Sequence, residues 1–157
     1  MTIYFYKSWQ PYGCFSNFSP HSITIEGIYW PSVEHYYQAQ KFLGTKHRYI
    51  INAIHNAKTP EEAAALGRYP GYKVRPDWES VKINVMRTVV LEKFNTHKEI
   101  RDILLFTGKE ILVENSPNDY FWGCGASKSG QNNLGKILMD VRSKLLKNLI
   151  LKPLLIS

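Results

Sequence analysis

Trp30-Pro31-Ser32-Val33-Glu34-His35-Tyr36-Tyr37-Gln38-Ala39-Gln40-Lys41-Phe42 is the stretch on which the reading of this chain turns. Ser32 is placed to cap a helix that begins after Pro31 and runs to about Leu43, with Gly44 as its stop. Glu34, Gln38 and Lys41 follow one another by four and then three positions and therefore share a face of that helix. Tyr36, Ala39, Phe42 and Leu43 make an apolar face that can anchor it in a core. A carboxylate among Trp30, Tyr36 and Tyr37 is an unusual neighbour for aromatic rings, because charged groups are seldom buried without a partner. Glu34 is therefore a candidate for chemistry. The plain alternative is an amphipathic helix with a solvated Glu34–Lys41 stripe.

Before this helix, Ile3 to Tyr6 and Ser22 to Glu26 read as strands. Between them Gln10-Pro11-Tyr12-Gly13-Cys14-Phe15-Ser16-Asn17-Phe18-Ser19-Pro20 is an aromatic-studded loop of the kind that walls a pocket. After it, Thr45 starts a weaker helix through His47 to Ala57. Thr59-Pro60-Glu61-Glu62 starts a better one, covering Ala63 to Leu66 and expected to stop at a left-handed Gly67. Asp77 to Phe94 shows helical spacing, Lys98 to Phe106 is a further helix closed by Gly108, Ile111 to Glu114 is a strand, and Leu134 to Leu149 is a final helix. Helices dominate. The fold expected is a helix-dominated α+β single domain with a few short strands, occupying residues 1–157.

The 157 residues suffice for one core, and a hydrophobic share of 44% with 21% charged residues is that of a soluble globular chain. The formal net charge of +7 favours an anionic partner, phosphate before polymeric nucleic acid, since no Lys/Arg run dominates. Cys14 and Cys124 are unpaired in motif, and Met1 to Tyr6 has no charged-then-apolar leader; both point to the cytoplasm. Lys147, Lys152 and Pro153 interrupt the apolar Leu145–Ile156 segment, so no membrane span is expected. His21, His35, His47, His55 and His97 show no metal spacing, and no serine or cysteine sits in a nucleophile context.

Four groups accompany Glu34. Arg68 follows a helix end; Asp77, Trp78 and Lys82 share one helix; Asp119 stands in Ser116-Pro117-Asn118-Asp119-Tyr120-Phe121-Trp122-Gly123. Finally, Gly123, Gly125 and Gly130 lead to Asn132-Asn133-Leu134-Gly135, a loop ahead of a helix N-terminus whose N–H groups suit an anion. Each has a structural reading as well. Arg68 can cover helix carbonyls, Asp77 is foremost a helix N-terminal residue, Trp78 can be a core anchor, and Asp119 can be a turn-former bonding its own backbone. The glycine loop is neither a Walker A motif nor a dinucleotide fingerprint.

The order PYGCFSNFSP, IYWPSVEHYYQAQKF, LGR, DWESVKINVM, LLFTGKEILVENSPNDYFWG and NNLGKILMDVR resembles the YbiA-like, or NADAR, proteins over Phe5 to about Arg142. That resemblance implies a YbiA-like fold and an N-glycosidase, which hydrolyses a base–ribose C–N bond. The substrates it implies are phosphoribosylated riboflavin-pathway intermediates or ADP-ribose on guanine, including ADP-ribosylated nucleic acid. Glu34 then matches the family's glutamate and Asp119 the acid of its SPxDxFWG motif, the two catalytic candidates, with acid and base roles open between them. Trp78 and Trp122 would stack on the base or frame the sugar, Lys41, Arg68 and Lys82 would take phosphate, and Gly123 and Asn132 belong to the substrate loop. No metal, redox cofactor or obligate protein partner is implied.

Ser127 and Lys128 stand where this family usually has Asp and Gly, which implies altered substrate choice and, at position 128, a cost if the backbone needs positive φ. Two other readings compete with the enzyme. One is a non-catalytic module binding ADP-ribose or nucleotides; the other is a single-stranded nucleic-acid binder.

Overall fold

A computed structural model describes the chain over residues 1–156, and its side chains through Lys152. β1 (Thr2–Phe5) pairs in parallel with β4 (Ile111–Glu114), Thr2 opposite Ile111 and Phe5 opposite Glu114. β2 (Ile23–Ile25) and β3 (Ile28–Trp30) form an antiparallel hairpin. Its two turn residues, Glu26 and Gly27, have φ of 52° and 78°, the tight turn whose twist suits paired strands. β3 lies outside the strands that the sequence pattern announces, because Ile28-Tyr29-Trp30 is short and runs directly into a helix start.

Six helices complete the domain among the described residues: α1 (Val33–Gln40), α2 (Tyr49–His55), α3 (Pro60–Arg68), α4 (Trp78–Thr96), α5 (Lys98–Phe106) and α6 (Asn133–Ile156). With two small sheets this is the helix-dominated α+β domain expected. No helix among the described residues is long and apolar enough to cross a membrane. Met86, Val89, Val90 and Phe94 of α4 and Leu134, Ile137, Leu138 and Val141 of α6 are buried in one core with Phe5, Phe15 and Leu112. Fully burying each large side chain is worth about 1.5–3 kcal/mol.

Local chemistry fixes the ends of α1 and α3. Ser32 Oγ accepts from His35 N–H at 3.2 Å, and its hydroxyl donates to His35 Nδ1 at 2.7 Å. His35 Nε2 then donates to the Ala57 carbonyl at 3.0 Å, tying α1 to the end of α2. Thr59 Oγ1 caps α3 by accepting from Glu62 N–H at 3.1 Å. Lys93 is the unusual core residue: it is 1% exposed, its Nζ donates to the Ser16 carbonyl at 2.9 Å, and burial pushes its pKa down to about 7.

Several expectations need correction. α1 ends at Gln40, and Thr45 closes the following turn by donating to the Phe42 carbonyl, so α2 starts only at Tyr49. Leu43 is half exposed, whereas Glu34 and Gln38 are buried, so the polar stripe points inward rather than into water. Gly67 lies within α3 with no positive φ, unlike Gly44 (φ 75°) and Gly108 (φ 63°). Its missing side chain serves packing: a Cβ there would collide with Gln38 of α1. Asp77 stands at the N-terminus of α4 as expected, but its side chain makes no capping bond and is held instead by Arg75 Nε at 2.6 Å. α6 starts at Asn133 and runs beyond Leu149.

Candidate active site

Glu34 is 4% exposed and Gln38 1%. Gln38 Nε2 donates to Glu34 Oε1 at 2.6 Å, and Arg68 Nη2 stands 3.8 Å from the same oxygen. Burial pushes the Glu34 pKa up; the Gln38 hydrogen bond and the charges of Arg68 and Lys41 pull against it, and Asp119 adds to the rise. The Arg68 side chain is 64% exposed, so its pairing at that distance is weak and displaceable. Lys41 Nζ donates to the Gly67 carbonyl at 3.4 Å, and burial holds its pKa down at about 8. Glu34, Lys41 and Arg68 thus meet where α1 crosses the C-terminal end of α3.

The aromatic candidates converge on Tyr37, one residue before Gln38. Its ring centroid is 5.1 Å from that of Trp78 and 5.5 Å from that of Trp122, whose Nε1 donates to the Tyr37 hydroxyl at 3.2 Å. Trp78, 5% exposed, is spent on packing, while Trp122 is half-buried. Lys82 Nζ lies 3.8 Å from the Phe121 ring centroid and 2.5 Å from Glu79 Oε2.

Asp119 bends the segment before Trp122. Its Oδ1 accepts from the N–H groups of Phe121 at 2.9 Å and Trp122 at 2.7 Å. Asn132 sets the other side of this corner: Nδ2 donates to the Leu112 carbonyl and Oδ1 accepts from Glu114 N–H, both at 2.9 Å, as a neighbouring strand would. Its amide is therefore occupied by β4. Gly123 is packed too closely for a side chain, against the carbonyls of Glu114 and Asp119. The expected anion site at the start of α6 is not formed. The N–H groups of Gly130 to Leu134 all point at carbonyls of Tyr120 to Cys124, which leaves none of them for a ligand. Lys128 does carry the costly positive φ, 60°, and its Nζ lies 4.8 Å from the Tyr4 ring centroid.

A cavity of about 610 Å³ opens beside this corner. Glu61, Arg68, Glu114 and Asp119 line it, with Ser16 and Phe18 from the aromatic loop and Phe121. The Tyr6 to Trp9 segment forms its rim, where Trp9 is 76% exposed and Lys7 Nζ sits 4.4 Å from the Tyr6 ring centroid. Arg68 and Asp119 are thus wall residues. Glu34 is not a wall residue but lies behind Arg68, with Lys41; Trp78, Lys82, Trp122, Gly123 and Asn132 do not line the cavity. A second hollow against Tyr69 and Tyr72 has only the exposed Glu62 as an ionisable acid.

Sequence reasoning missed Glu114 and the Tyr6–Trp9 rim. The signal for Glu114 was period two: it shares the strand face of buried Leu112. Its Oε2 is buried with no hydrogen-bond partner among the described residues. Burial, then the charges of Asp119 and Glu34, push its pKa up to about 8, and Arg68 opposes them. Among the described residues no group of three or more His, Cys, Asp or Glu side chains is arranged to hold a metal ion.

A family model described as the NADAR domain matches residues 4–146. The chain belongs to the NADAR domain family. A Nostoc punctiforme protein named as an N-glycosidase is 64% identical over 150 residues, covering 96% of each chain. The chloroplastic riboflavin biosynthesis protein PYRR of Zea mays is 49% identical over 156 residues, which span 92% of this chain and 25% of that protein. The NMR structure of the Escherichia coli protein YbiA superposes with a TM-score of 0.85 at 42% identity, covering 96% of this chain and 89% of that one. The α1, α3 and β4 elements of the corner all lie within the residues matched to the NADAR domain.

Proposed function

We propose that this NADAR domain is an N-glycosidase that hydrolyses the C–N bond between a base or amine and a phosphorylated ribose. The observation that carries the reading is Glu34: a carboxylate buried under Arg68, held by Gln38, behind the wall of a cavity lined by three further acids, Glu61, Glu114 and Asp119. Breaking an N-glycosidic bond builds positive charge on the ribose, and a fixed carboxylate in a dry site stabilises it and can orient the attacking water. Arg68 swings from its weak contact with Glu34 onto substrate phosphate, which its planar fork suits. Lys41 and Lys82 add positive charge behind it. Asp119, with Oδ1 committed to backbone, holds ribose hydroxyls through Oδ2. Phe121, on the cavity wall, frames the base.

The relative named as an N-glycosidase and the one named for riboflavin biosynthesis support a phosphoribosylaminopyrimidine as substrate. ADP-ribosylated guanine, free or in nucleic acid, is the competing substrate. The free thiols of Cys14 and Cys124 support a cytoplasmic setting. One observation favours a non-catalytic nucleotide-binding module instead: Glu34 does not itself line the cavity. Incubating the protein with a phosphoribosylaminopyrimidine, NAD, ADP-ribose and ADP-ribosylated guanosine separates the readings. Release of free base, followed by chromatography and mass spectrometry, is expected from the first; tight binding without release from any of them would make the domain a binding module.

A further inference from the structure

We propose that Glu114 is the general acid of this site, delivering the proton that the departing nitrogen takes up as the C1′–N bond breaks. The inference rests on the glycosidase reading above. Three observations carry it. Glu114 lines the cavity, so its carboxyl group can touch a bound ribosyl compound. Its Oε2 is buried with no partner among the described residues, an environment that favours the neutral, proton-carrying acid over the carboxylate. Its backbone is held on both sides, Glu114 N–H by Asn132 Oδ1 at 2.9 Å and the Glu114 carbonyl by Cys124 N–H at 2.9 Å, so the side chain is aimed from a rigid strand end.

The neighbouring groups separate the acids into two kinds. Asp119 Oδ1 is committed to two backbone N–H groups, and Glu34, although burial raises its pKa, has Gln38 Nε2 and the nearer charge of Arg68 opposing that rise. Glu114 receives no such support, and three like charges crowded around one guanidinium are avoided when it keeps its proton. Around the cavity, Glu61 adds negative charge and Lys7 positive charge, and Tyr6 and Tyr120 line it too. In the step, the Glu114 carboxyl hydrogen passes to the leaving nitrogen, which also keeps the C1′–N bonding pair. Water bonds to C1′ and gives its proton to Glu34, and solvent exchange resets both acids. No oxidant, reductant or further reactant is needed.

The test compares wild type with Glu114→Gln on two ribosides. One is a phosphoribosylaminopyrimidine, whose amine leaves poorly; the other is 4-nitrophenyl riboside 5-phosphate, whose leaving group needs no proton. The expected result is a fall in kcat of roughly 10²- to 10⁴-fold on the first and little change on the second. The alkaline limb of the wild-type profile, near the Glu114 pKa of about 8, disappears in the variant. Equal losses on both substrates would make Glu114 structural only, and unchanged rates on both would remove it from the reaction; either overturns the inference while leaving an N-glycosidase. If Glu114→Gln does not fold, Glu114→Asp decides: it must keep the alkaline limb and the leaving-group dependence, and loss of both overturns the inference. A wild type inactive on both ribosides and on ADP-ribosylated guanosine would instead defeat the glycosidase reading, and this inference with it; if only ADP-ribosylated guanosine is cleaved, the same loss and the same alkaline limb are read on that substrate.

Discussion

The amide of Gln38 donates a 2.6 Å hydrogen bond to the carboxylate of Glu34, one helical turn before it. The opposite edge of that amide rests on Gly67 of α3, where no Cβ fits. Helix packing and the position of the candidate catalytic carboxylate are thereby one feature. Gly67→Ala is expected to push Gln38 off Glu34. Overpacking costs about 1–3 kcal/mol, which exceeds the helix-propensity gain of about 1 kcal/mol from alanine. The melting temperature should fall by on the order of 5 °C, with a larger proportional loss of turnover than of substrate binding. Thermal unfolding and steady-state kinetics on the same preparation check both.

Glu114 makes stability depend on pH in a defined direction. Its folded-state pKa is about 8 against an ordinary 4.5, so the folded protein binds the proton more tightly than the unfolded chain. That stabilisation is complete below about 4.5 and is lost as pH rises through 8. Glu114→Gln removes the dependence. Relative to wild type, the variant should gain on the order of 2–4 kcal/mol between those limits, read from urea unfolding across the range.

Lys93 works in the opposite sense. Its pKa is lowered from 10.5 to about 7, so the stability it allows is complete above 10.5 and lost as pH falls through 7. Lys93→Met strands the Ser16 carbonyl, a cost of about 1–3 kcal/mol, but removes a buried ammonium. The variant is therefore expected to be less stable than wild type near pH 10 and more stable below 7. Melting curves that stay parallel across this range would contradict the assignment.

Much of the fold was legible because it is written in short-range chemistry. The Ser32 and Thr59 caps, the α5 span and the β4 strand depend on neighbours a few residues away. β3 was hidden because three residues carry little periodicity, and only the Glu26-Gly27 turn announced it. Gly67 was misread for a different reason: a glycine required by a residue on another helix looks, in sequence, like one required by backbone conformation. At the candidate site, Glu34, Arg68 and Asp119 were singled out through motif and residue type, and the fold brings Glu34 to Arg68 and sets Arg68 and Asp119 on one cavity. Glu114 was not, because its burial and its neighbours come from α1, α3 and the following loop rather than from its own strand. The anion site expected before α6 failed on a tertiary fact too, since its N–H groups are taken by Tyr120 to Cys124 carbonyls.

Lys128 holds φ at 60°, a region costing an L-residue about 1 kcal/mol that glycine avoids. The cation–π contact of its Nζ with Tyr4 offsets part of this, about 0.5 kcal/mol at an exposed site. Lys128→Gly should therefore raise the melting temperature by roughly 1–2 °C. Combined with Ser127→Asp, it should also shift the ranking of substrates; an unchanged ranking would detach this loop from specificity.

The most direct test of the account is single-turnover base release by Glu34→Gln beside wild type, with substrate affinity measured in parallel. The glutamine keeps the volume and the contact with Gln38 but cannot carry the charge that the ribose needs. The account predicts a fall in the chemical rate of roughly 10² or more with affinity changed only a few-fold. A variant that releases base at the wild-type rate, or one that loses affinity and rate in equal proportion, would contradict it.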